Sequence, residues 1–418
     1  MKAKNTPSTG SSFLDDWKRR ERTESKASLS AQNARDALTP EAARVVAEMS
    51  TQALRANYQA IAKQVDGLDL LPMVKANAYG HGAVWAARTL LNLSQLYALG
   101  VATLQEALEL RNGLGQSGRR TRIIVFSECA DWNENKGQFC EQYAITPVIA
   151  SEEDWTSFVR GGWNERLSYE LKFNTGMNRL GIPVSLAGRL ARFFEKLPVN
   201  AHPDGIFSHL AMAETPESHL SRQQREKFLA LRTELASAVP AARFHLGNSA
   251  AIWKEKNWSL KECTDVVRPG LSLYGVLPWA GAPARGIVPV MTLKSRVISS
   301  HRLKPGETVG YGGRYKVGPK SQVIAVVAAG YADGIHRTLS GTDSAPGGYV
   351  WLRGREQRIL GAVSMDMCTV SSSPEVQVGD WVEFLGPSVD AWAQAARAGT
   401  IPYELLTSVS GRVQRVYD

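Results

Sequence analysis

The chain is poor in cysteine, has no long apolar run, and has no block of charge of one sign. Four cysteines, Cys129, Cys140, Cys263 and Cys368, are dispersed through 418 residues, and none forms a C-x-x-C pair. That spacing argues for free thiols and against a disulfide scaffold or a zinc site, so no metal is expected. No apolar stretch approaches the roughly 20 residues a membrane helix requires, so no membrane partner is expected either. The net charge is +9, but Lys and Arg alternate with acids, as in Lys18-Arg19-Arg20-Glu21-Arg22. Such scatter reads as a solvated basic surface and not as a nucleic-acid stripe, although it would help to attract a carboxylate or phosphate ligand. Residues 1–43 are polar and lack the apolar core of a secretory signal. They read as a disordered extension, and the whole as a cytoplasmic protein.

What is present is ordinary for a soluble enzyme: 44% hydrophobic and 21% charged residues, over a length that suits two domains. From residue 44 to about 285, short apolar runs alternate with amphipathic ones. The strand candidates are Leu70–Lys75, Leu96–Ala102, Arg122–Ser127, Ile145–Ala150, Leu167–Phe173, Gly205–Leu210, Arg243–Gly247 and Asp265–Arg268. Between them, Thr103-Leu104-Gln105-Glu106 reads as a capping box that opens a helix to about Gly113. Ser185–Leu197 and Ser221–Ala238 each carry one apolar face. Eight such units predict an α/β fold, an N-terminal (β/α)8 TIM-type barrel. From about 286 to 418 the texture is that of strands separated by Gly, Pro and charged turns, a C-terminal β-rich domain.

Polar residues of chemical interest fall at the ends of these strands, where barrel enzymes carry their chemistry. The run Met73-Val74-Lys75-Ala76-Asn77-Ala78-Tyr79-Gly80-His81-Gly82 puts a lysine where a strand stops. A lysine desolvated there has a lowered pKa and is suited to form a Schiff base with pyridoxal phosphate (PLP); the plainer alternative is a surface lysine. Arg179, in Asn174-Thr175-Gly176-Met177-Asn178-Arg179, offers a fork of donors for a carboxylate or a phenolic oxygen, with a surface ion pair as the alternative. His209 lies among apolar residues, as a core histidine would. Asn248-Ser249 and Arg268-Pro269-Gly270-Leu271 follow the last two strands. Their small residues would let backbone N–H groups approach an anion, unless they are simply tight turns. Tyr79 is a further phosphate donor in that reading. Tyr311, in Val309-Gly310-Tyr311-Gly312-Gly313, is either a base from the β-rich domain or a structural turn residue.

Taken together, these strings resemble the alanine racemases, in the same order and over about residue 42 to the C-terminus. The resemblance implies a PLP-dependent isomerase that interconverts L- and D-alanine, supplying D-alanine for peptidoglycan, with Lys75 and Tyr311 as the catalytic bases. It implies that Arg179 and the backbone N–H of Met365 hold the substrate, and that Tyr79, Asn248, Ser249, Gly270 and Leu271 hold the cofactor. Arg268 would face the pyridine nitrogen, and His209 would link it to the tyrosine. A guanidinium has only donors and does not protonate that nitrogen, which weakens the ring as an electron sink and suits proton removal followed by return. Lys172 falls where many relatives carry a carbamylated lysine, and Asn174 replaces a common acid. Tyr331 and Asp366 would line the approach. The family's tyrosine comes from the neighbouring subunit, which implies a head-to-tail homodimer with shared sites. Gly411 stands where some members have a tyrosine. Its loss would widen the pocket and extend the substrate range to serine or other small amino acids.

Overall fold

A computed structural model of the chain describes residues 42–418, apart from 129, 216, 255–259 and 284. Nearly all of the 1–43 extension, and Cys129, lie outside the described residues. The first strand is β1 (Val45–Met49). The barrel strands follow as β2 (Asp69–Leu70), β3 (Leu99–Val101), β4 (Ile123–Val125), β5 (Ile145–Ile149), β6 (Glu170–Asn174), the two-residue β7 (Ile182–Pro183) that pairs with β6, β8 (Gly205–Phe207), β9 (Arg243–His245) and β10 (Val266–Val267).

Strands β3, β4, β5, β6, β8 and β9 form a parallel ladder in that order, and β10 pairs with β2. Parallel bridges Leu70↔Leu96 and Met73↔Gly100 join β2 to β3, and Asn248↔Arg268 joins β9 to β10, which closes the ring. Eight strands occur where the sequence predicts them, with shorter ladders. The first is the most curtailed: Lys75 is not its last residue but opens a turn, because the chain at 76–79 leaves the β region. Likewise β8 stops at Phe207, so His209 stands beyond the ladder.

Apolar branched residues such as Ile123, Ile124, Val125 and Ile149 are wholly buried, as a sheet covered on both faces requires. The capping box is present: Thr103 accepts from the Glu106 N–H, and Glu106 caps in return, over a helix Leu104–Leu114. The second predicted helix is shorter, Ala187–Phe194 after one 3-10 turn, and the third runs His219–Leu235 from its Ser218 cap.

The C-terminal part is built on the long strand β11 (Met291–Leu303), followed by the short hairpin β12 (Thr308–Val309) and β13 (Tyr315–Lys316). Then come β14 (Gln322–Val327), β15 (Tyr349–Leu352), β16 (Arg355–Leu360), β17 (Cys368–Ser371), β18 (Trp381–Leu385) and β19 (Gln414–Tyr417). Most of them join one sheet, in the order β14-β17-β16-β15-β18-β11-β1-β19. Strand β1 belongs to the second sheet, antiparallel to β11 and parallel to β19. Val45, Ala47 and Met49 point into the core of that sheet, so the chain threads the C-terminal part before it enters the barrel. Among the described residues no helix is long and apolar enough to cross a membrane.

Candidate active site

Lys75 opens a left-handed turn. Ala76, Asn77, Ala78 and Tyr79 have φ of 50°, 52°, 55° and 53°. Each such residue costs about 1–2 kcal/mol, so a run of four needs support. The Ala76 N–H donates to Glu106 Oε1 at 2.6 Å, and the Ala83 N–H to Asn77 Oδ1 at 2.8 Å. Backbone bonds Ala78 N–H to Val74 O and Gly80 N–H to Ala76 O close the turn. Gly80 (φ 85°) ends it, and a Cβ there would overlap the Leu406 carbonyl, so the helix Pro402–Thr407 lies directly on the turn. The result is a lysine fixed at the barrel mouth. Burial lowers the Lys75 pKa, the Arg179 guanidinium lowers it further, and Glu106 opposes them.

Tyr79, at the end of the turn, is buried between Tyr274 (ring centroids 5.0 Å) and Tyr403 (5.8 Å). Its hydroxyl reaches Gly270, where an added Cβ would stand 2.5 Å from it. The Gly270 N–H donates to Ser249 Oγ at 2.9 Å, and the Ser272 N–H points to the same oxygen at 3.4 Å. Leu271 begins a 3-10 turn beside them. Asn248 caps the helix Ser249–Trp253, its Oδ1 accepting from the Ala251 N–H at 3.0 Å. Tyr79, Ser249, Gly270 and Leu271 therefore converge, whereas the Asn248 carbonyl oxygen is already engaged in capping.

Four cations gather near Lys75's side of this cup. Arg268 is fully buried, and its Nη2 donates to the Ser208 carbonyl at 2.7 Å and lies 3.4 Å from His209 Nδ1. An arginine only donates, so His209 Nδ1 accepts and its proton resides on Nε2. Burial drives the His209 pKa well below its usual value, and Arg268, Arg179, Lys172 and Lys75 push the same way. Lys172 is buried on β6 and pushed down to about 8 by burial and then by Arg179, Arg268 and Lys75. Burial brings Arg268 down to about 10, which still leaves it charged at neutral pH. Arg179 is exposed, on a loop that Asn174 organises: Asn174 Oδ1 accepts from the Gly176 and Asn178 N–H groups at 3.0 and 3.1 Å. The asparagine keeps the acceptor that an acid would offer and adds a donor, Nδ2 to Asn178 Oδ1 at 2.9 Å.

Cations that depress one another's pKa call for an anion, and a glycine-lined cup beside a desolvated lysine accepts a phosphate. Both features fit PLP, with Lys75, Tyr79, Ser249, Gly270 and Arg268 as the groups that would hold it.

Tyr311 lies elsewhere. It sits in a 3-10 turn after β12, is 77% exposed, and makes no hydrogen bond, ion pair or ring contact with Lys75, His209 or Arg268 among the described residues. Met365 and Tyr331, 52% and 43% exposed, occupy neighbouring turns joined by Tyr331 N–H to Ser364 O at 3.0 Å. Asp366 accepts from Arg412 at 2.7 Å, in a network where buried Asp333 binds Arg44 and Arg412.

Several residues at the site are not singled out by the sequence reading. Glu106 is recognised only as a cap, yet the same carboxylate braces the lysine turn. Tyr403 lines a cleft with Lys75, Ala76 and Tyr79, while Gly411 lines a different one with Asn77, Gly82 and Arg415. His245 and Glu170 lie beneath Arg268. Glu170 is two residues before Lys172 on one strand and so on the same face, a signal that period-two reading contains.

Two family models cover almost everything described: the alanine racemase N-terminal domain matches residues 49–278 and the C-terminal domain residues 290–417. An alanine racemase of Nitrosococcus oceani is 34% identical over 380 residues, covering 88% of this chain and 98% of its own. The crystal structure of biosynthetic alanine racemase from Pseudomonas aeruginosa superposes with a TM-score of 0.78 at 31% identity, covering 90% of this chain and 99% of that one. That of the Bartonella henselae alanine racemase, which has covalently bound pyridoxal phosphate, does so with 0.76 at 29%, covering 90% and 100%. With both halves matched in order, and a barrel mouth whose lysine and cations suit that cofactor, the chain belongs to the alanine racemase family.

Proposed function

We propose that this protein is a PLP-dependent alanine racemase acting by two bases, Lys75 and Tyr311. The observation that carries the reading is the convergence of a desolvated lysine, a glycine-lined anion cup and buried cations at one barrel mouth. Bound through Lys75, PLP supplies the electron sink that acidifies the hydrogen on the substrate's Cα.

The residues do the rest. Tyr79, Ser249, Gly270 and the Leu271 N–H would hold the phosphate, the Gly270 N–H acting through the Ser249 hydroxyl to which it donates, with Asn248 beside them. Arg268 would be the group facing the cofactor's ring nitrogen, and a guanidinium, which has only donors and no proton to release, would moderate the electron sink. Arg179 and the Met365 N–H hold the carboxylate. Tyr311 removes the proton from the L enantiomer on one face of Cα, and Lys75 Nζ delivers one on the other; the reverse direction exchanges their roles. A phenol has an unperturbed pKa near 10 and needs help as a base. The Nε2–H of His209 would donate to the phenolate oxygen of the partner's Tyr311.

The exposure of Tyr311 supports a head-to-tail homodimer in which the partner's Tyr311 and Met365 complete each site. A carbamylated Lys172 would turn one cation of the cluster into an anion beside Arg179. Cytoplasmic supply of D-alanine for peptidoglycan is the role this implies. The test is deuterium incorporation at Cα from heavy water by the PLP-loaded protein. Wild-type exchange of both enantiomers by Lys75→Ala and Tyr311→Phe variants would refute the two-base assignment.

A further inference from the structure

The barrel interior beneath Arg268 holds a carboxylate that this chemistry does not use. Glu170 opens β6 and is fully buried. A Cβ on Gly205, at the start of the neighbouring strand β8, would lie 2.6 Å from Glu170 Oε1, so that glycine leaves the room the carboxylate fills. Glu170 Oε2 is 3.1 Å from His245 Nε2, and Oε1 is 3.4 Å from the Tyr97 hydroxyl. On its other side, His245 Nδ1 is 2.8 Å from Arg268 Nη1.

The direction of each bond follows from the donors available. A guanidinium cannot accept, so His245 Nδ1 accepts, the ring is neutral, and its proton sits on Nε2, pointing to Glu170. Burial and the neighbouring Arg268 both favour the neutral imidazole, against Glu170. At the other end, Arg122 Nη1 donates to the Tyr97 oxygen at 2.8 Å, leaving the phenolic proton for Glu170 or for the Asp204 carbonyl. The His245 donor ends on Glu170, and the Tyr97 hydroxyl lies within reach of its other oxygen. The remaining partners of Arg268 are the Ser208, His245 and Leu246 carbonyls and His209, none of them anionic. Glu170 is therefore the carboxylate that the hydrogen bonds of this buried guanidinium reach.

We propose that Glu170 is a positioning residue of the site: by accepting the Nε2 proton of His245 it holds that imidazole with Nδ1 toward Arg268, and so fixes the guanidinium's orientation and balances its charge. The inference rests on the reading of Arg268 as the partner of the PLP ring nitrogen. A carboxylate that orients a metal-ligating imidazole contributes about 10–100-fold to metal affinity or activity, and an imidazole presented to a guanidinium is expected to depend on its carboxylate on the same scale.

Glu170→Gln tests it in the holoenzyme, because the amide fills the same space without charge, and its single oxygen cannot accept from both His245 Nε2–H and the Tyr97 hydroxyl. Three quantities are read: kcat and KM for alanine racemisation, the visible absorbance of bound PLP, and the ring-nitrogen chemical shifts of His245 in isotope-labelled protein. The expected result is a kcat lower by about 10–100-fold with KM within about twofold, an absorbance change in the same direction as in Arg268→Lys, and loss of the single Nε2–H pattern of His245. Should Glu170→Gln not fold, Glu170→Asp draws the carboxylate back by one methylene and must still disturb the His245 pattern and the absorbance. Unchanged absorbance and unchanged His245 shifts overturn the inference even if kcat falls, because a merely structural role would do the same. A change in Arg268→Lys without one at Glu170 overturns the role of Glu170 alone; no change in either overturns the placement of Arg268 as well.

Discussion

Gly270→Ala isolates the fit between the phosphate cup and the lysine turn. At Gly270, with φ −124° and ψ −92°, an alanine meets Tyr79 directly. Its Cβ would lie 2.5 Å from the Tyr79 hydroxyl and 3.1 Å from Tyr79 Cζ, against the 3.4 Å at which ordinary contact begins. The hydroxyl has to withdraw by about 0.9 Å, yet its ring is wedged between Tyr274 and Tyr403 and its backbone belongs to the left-handed turn. Overpacking of this kind costs about 1–3 kcal/mol. Expressed as cofactor affinity that is about 5- to 150-fold in Kd, measured by absorbance titration of the apoprotein with PLP. A Tyr79→Phe background removes the atom that clashes most, so the alanine must cost less there, with a coupling of at least about 1 kcal/mol in the double-mutant cycle. Wild-type affinity of Gly270→Ala, or strict additivity with Tyr79→Phe, would refute the claim that these two residues shape one phosphate site.

Co-expression of Lys75→Ala and Tyr311→Phe chains is expected to restore about a quarter of wild-type activity, since half of randomly paired dimers would carry one intact site; no recovery speaks against sites shared between protomers. Incubation with bicarbonate is expected to add the mass of carbon dioxide to the wild type and not to Lys172→Ala, because an amine pushed down to about 8 is partly neutral under mildly alkaline conditions. In carbonate-free buffer the same depression has a stability consequence. Between about pH 8 and the ordinary 10.5 the unfolded chain binds more protons at Lys172 than the folded one does, so this residue makes stability rise with pH across that window. Lys172→Met removes that slope in denaturant titrations of the apoprotein. Asp333→Asn weakens the bonds from Arg44 and Arg412, which are partly exposed and keep Asp366, and a loss of about 1–3 kcal/mol is expected in chemical unfolding.

The barrel strands and the lysine run are legible in the sequence because they depend on local rules. Apolar branched runs at βα spacing need no partner to be recognised, and the capping box at Thr103 and Glu106 is a four-residue signal. What is not legible depends on partners far along the chain. Strand β1 reads as a strand from Val45 to Met49, but nothing in those five residues says that it lies between β11 and β19. The left-handed turn at 76–79 contradicts the intrinsic preference of Ala and Tyr. It persists because Glu106, Asn77 and the helix carrying Leu406 over-determine it, and three of those contacts span 6, 30 and more than 300 residues.

The same distinction explains which residues of the site the sequence shows and which it hides. Residues whose chemistry is conspicuous by type, Lys75, Arg179, Arg268 and Tyr311, stand out in a single sequence. Glu106 and Glu170 do not, because a glutamate's role depends on what it faces, and both face groups brought to them by the fold. The backbone at 76 and the imidazole at 245 are such groups. A cationic barrel mouth needs negative charge, and with one carboxylate bracing the lysine and another beneath the arginine, the protein supplies part of it before any cofactor arrives. Neutralising Glu106 as Glu106→Gln should therefore act in two ways at once. It removes the negative charge that raises the Lys75 pKa, and it weakens the bond to the Ala76 N–H that steadies the turn. The first effect makes Lys75 more readily neutral and favours its attachment to PLP; the second frees the turn and opposes it. A faster attachment combined with weaker retention of PLP, measured by stopped-flow absorbance and by dilution, is the expected signature. Unchanged values for both would mean that the left-handed turn holds without its carboxylate.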